Sequence, residues 1–351
     1  MPFIDPEALR QTITQAYLAV GLLPEDAALC ARWMVSADMA GVSTHGTVRL
    51  ALYLDAIEQG KMNSRPNITV AYPRPGVALV DGDHGLGVLV GTRAMAEAVK
   101  AAKVNGIGVA VAKRSSHYGR AGFFLETALE AGCVGVSVSN GAPVMTTYGG
   151  SQAVICTNPI AAATPSAPGR TAFAMDMAQS VGAFGKIRHH EREGTPIPEG
   201  WALTAEGKPT TVPEEAIKGA LIPFGGAKGS ALALLVEVLA GVLSGADFGT
   251  NVANPTRQSA RRSNTGHLFM AFDVEAFMPL GDFTERVDLL SRMITGARPA
   301  EGFDEVRFPG QGASERRKAV DKHGIEMPAS ALTAIAAALA KRGLPMVAVR
   351  E

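Results

Sequence analysis

The segment GVSTHGTVR, residues 41–49, places a histidine four positions before an arginine in a chain with seven histidines in all. If this segment is helical, His45 and Arg49 share one face, about one turn apart. Two cationic side chains repel each other unless an anion lies between them, and a carboxylate substrate would fit there. The alternative is a helix start capped by Ser43 or Thr44, with both basic residues at the surface. The segment is therefore either an anion site or a helix entry.

A second histidine stands in KRSSHYGRAG, directly after the apolar run 107–112. We expect that run to be a strand, which places His117 at a corner between the strand and the following helix. Such corners often hold functional groups in sheets flanked by helices, and the amides at a helix start favour an anion. A capping or surface role for His117 is the alternative.

An aspartate lies between two methionines in the apolar segment FAMDMAQS. Asp176 is expected to be partly buried, so its carboxylate needs a charged or hydrogen-bonding partner. An imidazolium is a suitable partner, and Asp176 is therefore a candidate for orienting a catalytic histidine. The alternative is an N-cap for a helix near 177–190.

The chain contains 39 glycines, but none of its glycine-rich segments is a familiar nucleotide motif. No GxGxxG follows a strand and opens a helix, so a Rossmann site is not supported. The segment PFGGAKGSALALL also lacks the GxxxxGK[ST] pattern. It combines a glycine-rich turn with Lys228 at the start of an apolar helix, which suits a phosphate or carboxylate, or alternatively a tight turn that packs the helix.

Composition limits the possible partners. The 351 residues contain 33 Lys plus Arg and 33 Asp plus Glu, so no net charge attracts the chain to nucleic acid or to an anionic membrane. The three cysteines are widely spaced, which predicts reduced core thiols and neither a disulfide framework nor a metal site. The N-terminus has no secretion signal, and the apolar stretch 231–243 carries Glu237, which predicts a buried helix and not a membrane span. We expect a cytoplasmic protein.

The pattern along the chain predicts a helical layer built from both termini around a sheet domain. The residue pattern changes near Asn63, where prolines interrupt short β-branched runs, and a helical pattern returns near residue 285. The expected segments are helices over 5–20, 24–40, 45–59, 88–104, 119–131, 314–323 and 328–343, and strands over 107–112, 134–139 and 268–272. We expect a mixed α/β (α+β) fold with helical parts at 1–75 and 291–351 and a central sheet domain at 76–290.

These motifs together resemble a known family. GVSTHGTVR, DGDHGLG, GIGVAVAKRSSHYGRAG, TNPIAAATP, MDMAQS and PFGGAKGSALALLVEVLAGVLSG occur in the order found in the malate/L-lactate dehydrogenase family, which is unrelated to the Rossmann lactate and malate dehydrogenases. The resemblance covers nearly the whole chain. It implies a non-Rossmann nicotinamide-binding fold with a mixed or largely antiparallel sheet, NAD or NADP as cofactor, a small carboxylate substrate and a homodimer.

The resemblance also implies roles for particular residues. His45 is the expected proton donor or acceptor, supported by Thr44 or Ser43 and by Asp176, with Arg49 near the substrate carboxylate or the cofactor. His117 matches the second histidine, which in some members is itself the acid/base and which opens a cofactor-binding stretch through Tyr118, Gly119, Arg120 and Ala121. Ser139, Lys228 and a loop with Arg307 and Gly310 are the remaining expected cofactor contacts.

The expected reaction is hydride transfer at C2 of a small 2-oxo or 2-hydroxy acid. KGSAL at 228–232 is closer to the ketimine reductases, so reduction of piperideine-2-carboxylate or pyrroline-2-carboxylate is the alternative. The family's DMATS pattern is DMAQS here, with Gln179 for threonine, and PGExE becomes PGQGASE. A hydrolase using Ser43 or Ser116 and a non-catalytic nucleotide-binding protein are the alternatives from other classes. The hydrolase lacks a GxSxG motif.

Overall fold

The computed structural model describes residues 2–170, 172–254 and 261–347, and a seven-stranded sheet lies at its centre. The strands are β1 Phe3–Ile4, β2 Thr69–Arg74, β3 Val77–Asp81, β4 Ile107–Ser115, β5 Cys133–Ser139, β6 Ile160–Ala163, β7 Ala174–Met177, β8 Ala202–Leu203, β9 Pro209–Thr210, β10 Ala220–Leu221, β11 Thr265–Asp273 and β12 Ile325–Glu326. The order in the sheet is β2-β3-β4-β11-β5-β6-β7. The β3–β4 pair is parallel and the other neighbouring pairs are antiparallel, so the expected mixed, largely antiparallel sheet is confirmed.

The helices begin where the sequence supplies starting signals. Asp5 caps the first helix by accepting a hydrogen bond from the Ala8 amide at 2.8 Å, and Pro6 and Pro24 open the first two helices. The helices are α1 Pro6–Ala19, α2 Pro24–Met39, α3 Leu50–Glu58, α4 Gly87–Asn105, α5 Leu125–Glu130, α6 Phe184–Glu193, α7 Pro213–Lys218, α8 Ala227–Val236, α9 Leu280–Thr295, α10 Gln311–His323 and α11 Ala329–Ala340.

The longest strands occupy the middle of the sheet because their side chains are apolar on both faces. β11 reads TGHLFMAFD, and seven of its nine residues are buried. It lies between β4 and β5, in register from His267 opposite Ser139 to Phe272 opposite Val134 on one side. β11 comes from late in the chain and separates two strands from its middle, which local patterns do not predict.

The two ends of the chain meet in a helical layer, as expected. β1 pairs with β12, with Phe3 opposite Glu326, and Arg342 forms ion pairs with Asp55 and Glu58 of α3. One hydrophobic core joins this layer to the sheet, and it contains Leu9 and Leu54 as well as Val80 and Phe269. The domain boundaries at 75/76 and 290/291 stay a prediction.

The expectation of a buried helix over 231–243 was wrong. α8 continues into a π-helical segment, Glu237–Val242, whose inner face packs on the sheet. Its outer face is apolar and exposed in the single chain, at Leu234, Leu235, Val238, Val242 and Leu243. Among the described residues, no helix has the length and apolarity needed to cross a membrane. Cys30, Cys133 and Cys156 are free thiols, as expected.

Candidate active site

Two histidines that are 72 positions apart in the sequence face each other in the structure. The rings of His45 and His117 are stacked, with centroids 5.7 Å apart and an interplanar angle of 20°. His117 follows β4, and His45 lies in the connection between α2 and α3. Both side chains are partly accessible to solvent. The structure therefore brings together the two residues that the sequence offered as candidates for the acid/base.

The segment around His45 is not an α-helix, so the prediction of a helix from residue 45 was wrong. It forms two 3₁₀ turns, Ser43–His45 and Thr47–Arg49, separated by Gly46 in an extended conformation. Asp38 sets this shape, because its Oδ2 accepts hydrogen bonds from the amide and hydroxyl of Thr47 at 2.9 and 2.7 Å. A Cβ on residue 46 would lie 1.9 Å from Asp38 Oδ1, so only glycine fits there.

Asp38 was missed from the sequence, although it stands seven residues before His45 at the end of α2. The carboxyl is 8% exposed, and burial raises its pKa to about 6 against the opposing effect of the two Thr47 hydrogen bonds. Its effect on the site is indirect, since it holds the turn that carries His45.

Arg49 ties this turn to α3. Its Nε donates to the Thr44 carbonyl oxygen, and its charge acts to lower the pKa of Tyr53. The phenolic oxygen of Tyr53 lies 2.6 Å from His117 Nδ1, and Thr44 Oγ1 lies 3.0 Å from His45 Nδ1. Thr44 thus contacts His45 as expected, whereas Ser43 is exposed. Tyr53 was missed; it lies four residues after Arg49, a spacing that would have signalled it.

The surroundings favour the neutral form of both imidazoles. Burial, and after it the charge of Arg49, lowers the pKa of His45 to about 3. Burial also lowers the pKa of His117 well below its ordinary value, with further contributions from Arg49, His45 and His267. An anion bound beside Arg49 would cancel part of this effect and favour the protonated form.

Asp176 lies on β7, so the alternative of a helix N-cap was wrong. Its Oδ2 accepts a hydrogen bond from the Gly122 amide at 2.8 Å and lies 3.9 Å from Arg120 Nη1. The side chain is 26% exposed, and its pKa is raised by burial against the effects of Arg120 and Gly122. These contacts do not include an imidazole, and orientation of a histidine by Asp176 stays a prediction.

The chain after β7 nevertheless returns to the histidine pair. α6 begins at Phe184, and a Cβ on Gly185 would lie 2.5 Å from Thr44 Cγ2. Residues 176–185 therefore run from Asp176 to the turn that carries His45.

The stretch expected to bind cofactor divides into core and site residues. Tyr118 is 2% exposed and its ring is stacked on His267 at 4.6 Å, so its side chain belongs to the core, and contact of this residue with a cofactor stays a prediction. Gly119 has a φ of +72° and lies against the Trp33 indole, and Ala121 is buried. Arg120 differs, because its side chain is only 17% exposed and its Nε has no hydrogen-bond partner among the described residues. A buried guanidinium with a free donor suits an anionic group.

Ser139 is likewise part of the interior. Its hydroxyl lies 2.8 Å from Nδ1 of the fully buried His267, whose Nε2 lies 2.7 Å from Ser115 Oγ. Ser139 is 2% exposed, and its contact with the cofactor stays a prediction. His267 was missed, because within the apolar pattern of β11 nothing distinguishes it from a core residue.

Lys228 lies in a setting that fits a phosphate. It is exposed in the first turn of α8, whose N-cap, Gly226, provides no side chain to bond the free amides. A groove of about 340 Å³ lies beside this helix start, between Tyr148, Gly149 and Gly225. Gln179 is fully buried, and its backbone carbonyl accepts a hydrogen bond from the amide of Phe224, the residue before Gly225. Neither polar atom of its side chain has a hydrogen-bond partner among the described residues. These features are suited to a dinucleotide cofactor.

The C-terminal loop contacts β7 through its backbone. The Pro309 carbonyl accepts a hydrogen bond from the Ala174 amide at 3.1 Å, and Gly310 has a φ of +104°. Arg307 forms ion pairs with Glu305 and Glu315. Cofactor contacts by Arg307 and Gly310 stay a prediction.

Ser116, one of the two serines of the hydrolase alternative, has a structural role. Ser116 is 2% exposed, its hydroxyl donates to the Gly85 carbonyl and it accepts from the Gly87 amide, each at 3.0 Å. Ser116 therefore bonds backbone groups at the start of α4 and is not hydrogen-bonded to a histidine.

Known proteins match this chain along most of its length. A family model described as malate/L-lactate dehydrogenase matches residues 4–336. A malate dehydrogenase from Pyrococcus horikoshii is 39% identical over 316 residues, which cover 88% of this chain and 86% of that protein. Sulfolactate dehydrogenase from Methanocaldococcus jannaschii has a solved structure with a TM-score of 0.89 and 36% identity, covering 99% of this chain and 98% of that one.

A third protein carries a reductase name. The structure of delta1-piperideine-2-carboxylate reductase from Pseudomonas syringae pathovar tomato has a TM-score of 0.86 and 27% identity, with 96% of this chain and all of that chain covered. Sequence and structure agree over both the sheet and the helical layer, and the resemblance inferred from the motifs is confirmed. The chain therefore belongs to the malate/L-lactate dehydrogenase family, and it is an NAD(P)-dependent oxidoreductase.

Proposed function

We propose that this enzyme interconverts a small 2-hydroxy acid and the corresponding 2-oxo acid. The observation that carries the proposal is the stacked His45–His117 pair beside Arg49. The arrangement offers two imidazoles for the oxygen on C2 and a guanidinium for the carboxylate at C1. When bound, NAD or NADP supplies the hydride acceptor or donor.

The residues divide the remaining work. Arg49 has donors beyond the Nε–H group used on Thr44, because a guanidinium carries five N–H groups. In the oxidation direction, neutral His45 takes the proton of the C2 hydroxyl. The bound carboxylate raises the pKa of His45 by offsetting the charge of Arg49, so the protonated ring is available for the reverse reaction. Lys228, the amides at the start of α8, and Arg120 are the groups suited to the cofactor phosphates.

The first experiment is the substitution His45→Gln. Without a group to exchange the proton, kcat should fall roughly 10²- to 10⁴-fold, whereas the cofactor dissociation constant, measured by nicotinamide fluorescence, should stay unchanged. His189→Gln is the control, because His189 is an exposed histidine of α6. Retained turnover in His45→Gln would transfer the acid/base role to His117.

The substrate class is tested with a panel. Relatives named for malate and sulfolactate support a 2-hydroxy acid with a second acidic group. The neighbour named piperideine-2-carboxylate reductase supports the alternative of a cyclic imine. Assays of oxaloacetate, sulfopyruvate, pyruvate and piperideine-2-carboxylate with NADH and with NADPH distinguish these alternatives. Turnover of the imine alone would favour the ketimine reductase.

We further propose that the protein is a homodimer in the cytoplasm. The exposed apolar face of α8 and its π-helical continuation supports self-association, since such a face is stabilised by burial against a second copy. The free thiols support a reducing compartment. Leu235→Asp should shift the mass measured by analytical ultracentrifugation to that of a monomer. Val104→Asp is the control, because Val104 is 80% exposed at the end of α4. An unchanged mass for Leu235→Asp would contradict this interface.

A further inference from the structure

Tyr53 makes a buried contact that the proposed reaction does not yet use. Its side chain is 1% exposed, and it packs against Trp33 with ring centroids 5.1 Å apart. At its end, the phenolic oxygen lies 2.6 Å from His117 Nδ1. Burial raises the pKa of Tyr53 to about 12, against the effect of Arg49, so the phenol keeps its proton.

The direction of this hydrogen bond follows from the chemistry of its partners. A buried phenol must place its proton on an acceptor, and among the described residues His117 Nδ1 is the atom in contact. Tyr53 therefore donates to Nδ1. An unprotonated Nδ1 on a neutral imidazole leaves the ring proton on Nε2.

His117 is kept in the neutral state by its surroundings. Desolvation and the charge of Arg49 both lower the pKa of this ring well below its ordinary value. A second proton could enter only at Nδ1, which is the nitrogen that Tyr53 already bonds.

His45 differs in its partner. Its Nδ1 lies 3.0 Å from the Thr44 hydroxyl, which can either donate or accept a hydrogen bond. The ring of His45 is thus able to change its protonation state without breaking that contact, which is what a general base requires.

We propose that Tyr53 is a positioning residue that fixes His117 as the Nε2–H tautomer, so that His117 donates a hydrogen bond to the oxygen on C2 while His45 alone exchanges the proton. The hydrogen bond to the substrate oxygen rests on the proposed function, whereas the tautomer of His117 does not. In this division, His45 takes the hydroxyl proton as the O–H bond breaks, and the Nε2–H of His117 stabilises the negative charge that develops on oxygen. A neutral donor suits this task because it does not compete for the proton.

The tautomer is measured on the free protein, without substrate or cofactor. Long-range ¹H–¹⁵N spectra of histidine-labelled protein report which ring nitrogen carries the proton, and loss of a signal in His117→Gln assigns it. We expect a protonated Nε2 and an unprotonated Nδ1 in the wild type, and a mixture of tautomers in Tyr53→Phe. Protonation at Nδ1 in the wild type would overturn the proposal. This measurement is unaffected if no oxidoreductase substrate is found.

Kinetics test the consequence for catalysis. Tyr53→Phe should lower kcat roughly 10- to 100-fold with little change in KM, as for other partners that orient a catalytic histidine. Tyr17→Phe is the matched control, because Tyr17 is also a fully buried phenol of the helical layer but its hydroxyl contacts Met34 Sδ. Wild-type kcat in Tyr53→Phe would count against the proposal.

The two histidines are distinguished by conservative substitution. An amide N–H replaces a donor but not a base, so His117→Gln should retain at least roughly tenfold more kcat than His117→Ala. In the oxidation direction, kcat should still fall at low pH in His117→Gln, because His45 is still the base. This fall should be absent from any residual activity of His45→Gln. A His117→Gln enzyme as inactive as His117→Ala, with the fall at low pH lost, would assign the proton exchange to His117.

Discussion

At the scale of single residues, burial decides the charge of the groups in this site. Desolvation is the first cause of the lowered pKa of His45, His117 and His267 and of the raised pKa of Asp38. The result is a set of neutral imidazoles beside one permanent cation, Arg49. Such a set has a strong preference for an anionic ligand, because the ligand is the missing counter-charge.

The fully buried His267 leads to a prediction about acid stability. Its pKa is about 3 in the folded protein, lowered by burial from the ordinary 6.5, so the unfolded chain binds the proton more tightly. The stability contributed by the neutral ring is therefore complete above pH 6.5 and is lost as the pH falls from 6.5 toward 3. His267→Gln should reduce the slope of unfolding free energy against pH in this window by up to about 1.4 kcal/mol per pH unit.

Urea unfolding at a series of pH values measures this slope, and His189→Gln, at an exposed position, should leave it unchanged. Asp38 acts in the opposite sense. Its folded pKa of about 6 lies above the ordinary 3.8, so its contribution is complete below pH 3.8 and is lost as the pH rises through 6. An unaltered slope in His267→Gln would mean that the ring is charged in the folded state.

At the scale of elements, the site is built from connections whose shapes are fixed by a few internal hydrogen bonds. Asp38 fixes the turns between α2 and α3, and Ser116 joins the end of β4 to the start of α4. His117 directly follows Ser116, and His45 lies in the turns that Asp38 holds. Rigid connections of this kind hold catalytic groups within the small tolerance that proton transfer requires.

Ser116→Ala tests whether this serine is structural. Loss of one donor and one acceptor in a buried position should lower the free energy of unfolding by about 1–2 kcal/mol, measured by urea unfolding. Oxidoreductase turnover should be largely retained, because His117 keeps its contact with Tyr53. Ser330→Ala, at an exposed position of α11, is the control and should change stability very little. Complete loss of oxidoreductase turnover in a stable Ser116→Ala protein would contradict a purely structural role for this serine.

At the scale of the whole molecule, the C-terminal helices lock the layer that carries His45 and Arg49. The side chain of Arg342 is 5% exposed and bonds Asp55 and Glu58, while its neighbour Lys341 contacts Asp55 with 58% of its side chain exposed. α3 follows directly from the turns that carry His45 and Arg49. The ion pairs of Arg342 with α3 therefore hold the C-terminal segment against the helix next to the site.

The two basic neighbours therefore predict different mutational effects. Arg342→Met should lower the free energy of unfolding by about 2 kcal/mol, because it leaves two carboxylates without a well-ordered bidentate partner. Lys341→Met should cost at most about 0.5 kcal/mol, since exposed ion pairs are screened by water. Urea unfolding of both variants provides the comparison. Equal losses of unfolding free energy in the two variants would mean that burial of the Arg342 side chain does not strengthen its ion pairs.

The sequence by itself determined the family, the largely antiparallel fold and the identity of most candidate site residues. Motifs such as STHG and SSHYG consist of consecutive residues, so they can be recognised in the sequence without knowledge of the tertiary contacts. The starts of α1 and α2 were also predictable, because Asp5, Pro6 and Pro24 act on the adjacent turn of backbone.

Only the tertiary structure decided which candidates face the site. It placed Tyr118 and Ser139 in the core, set Asp176 on a strand beside Arg120, and added Asp38, Tyr53 and His267. The physical reason is that burial, desolvation and hydrogen-bond partners arise from contacts between distant segments, such as β11 inserted between β4 and β5. Residue types and their spacing along the chain describe the chemistry that is available, whereas the packing of those segments decides which groups are charged, accessible and paired.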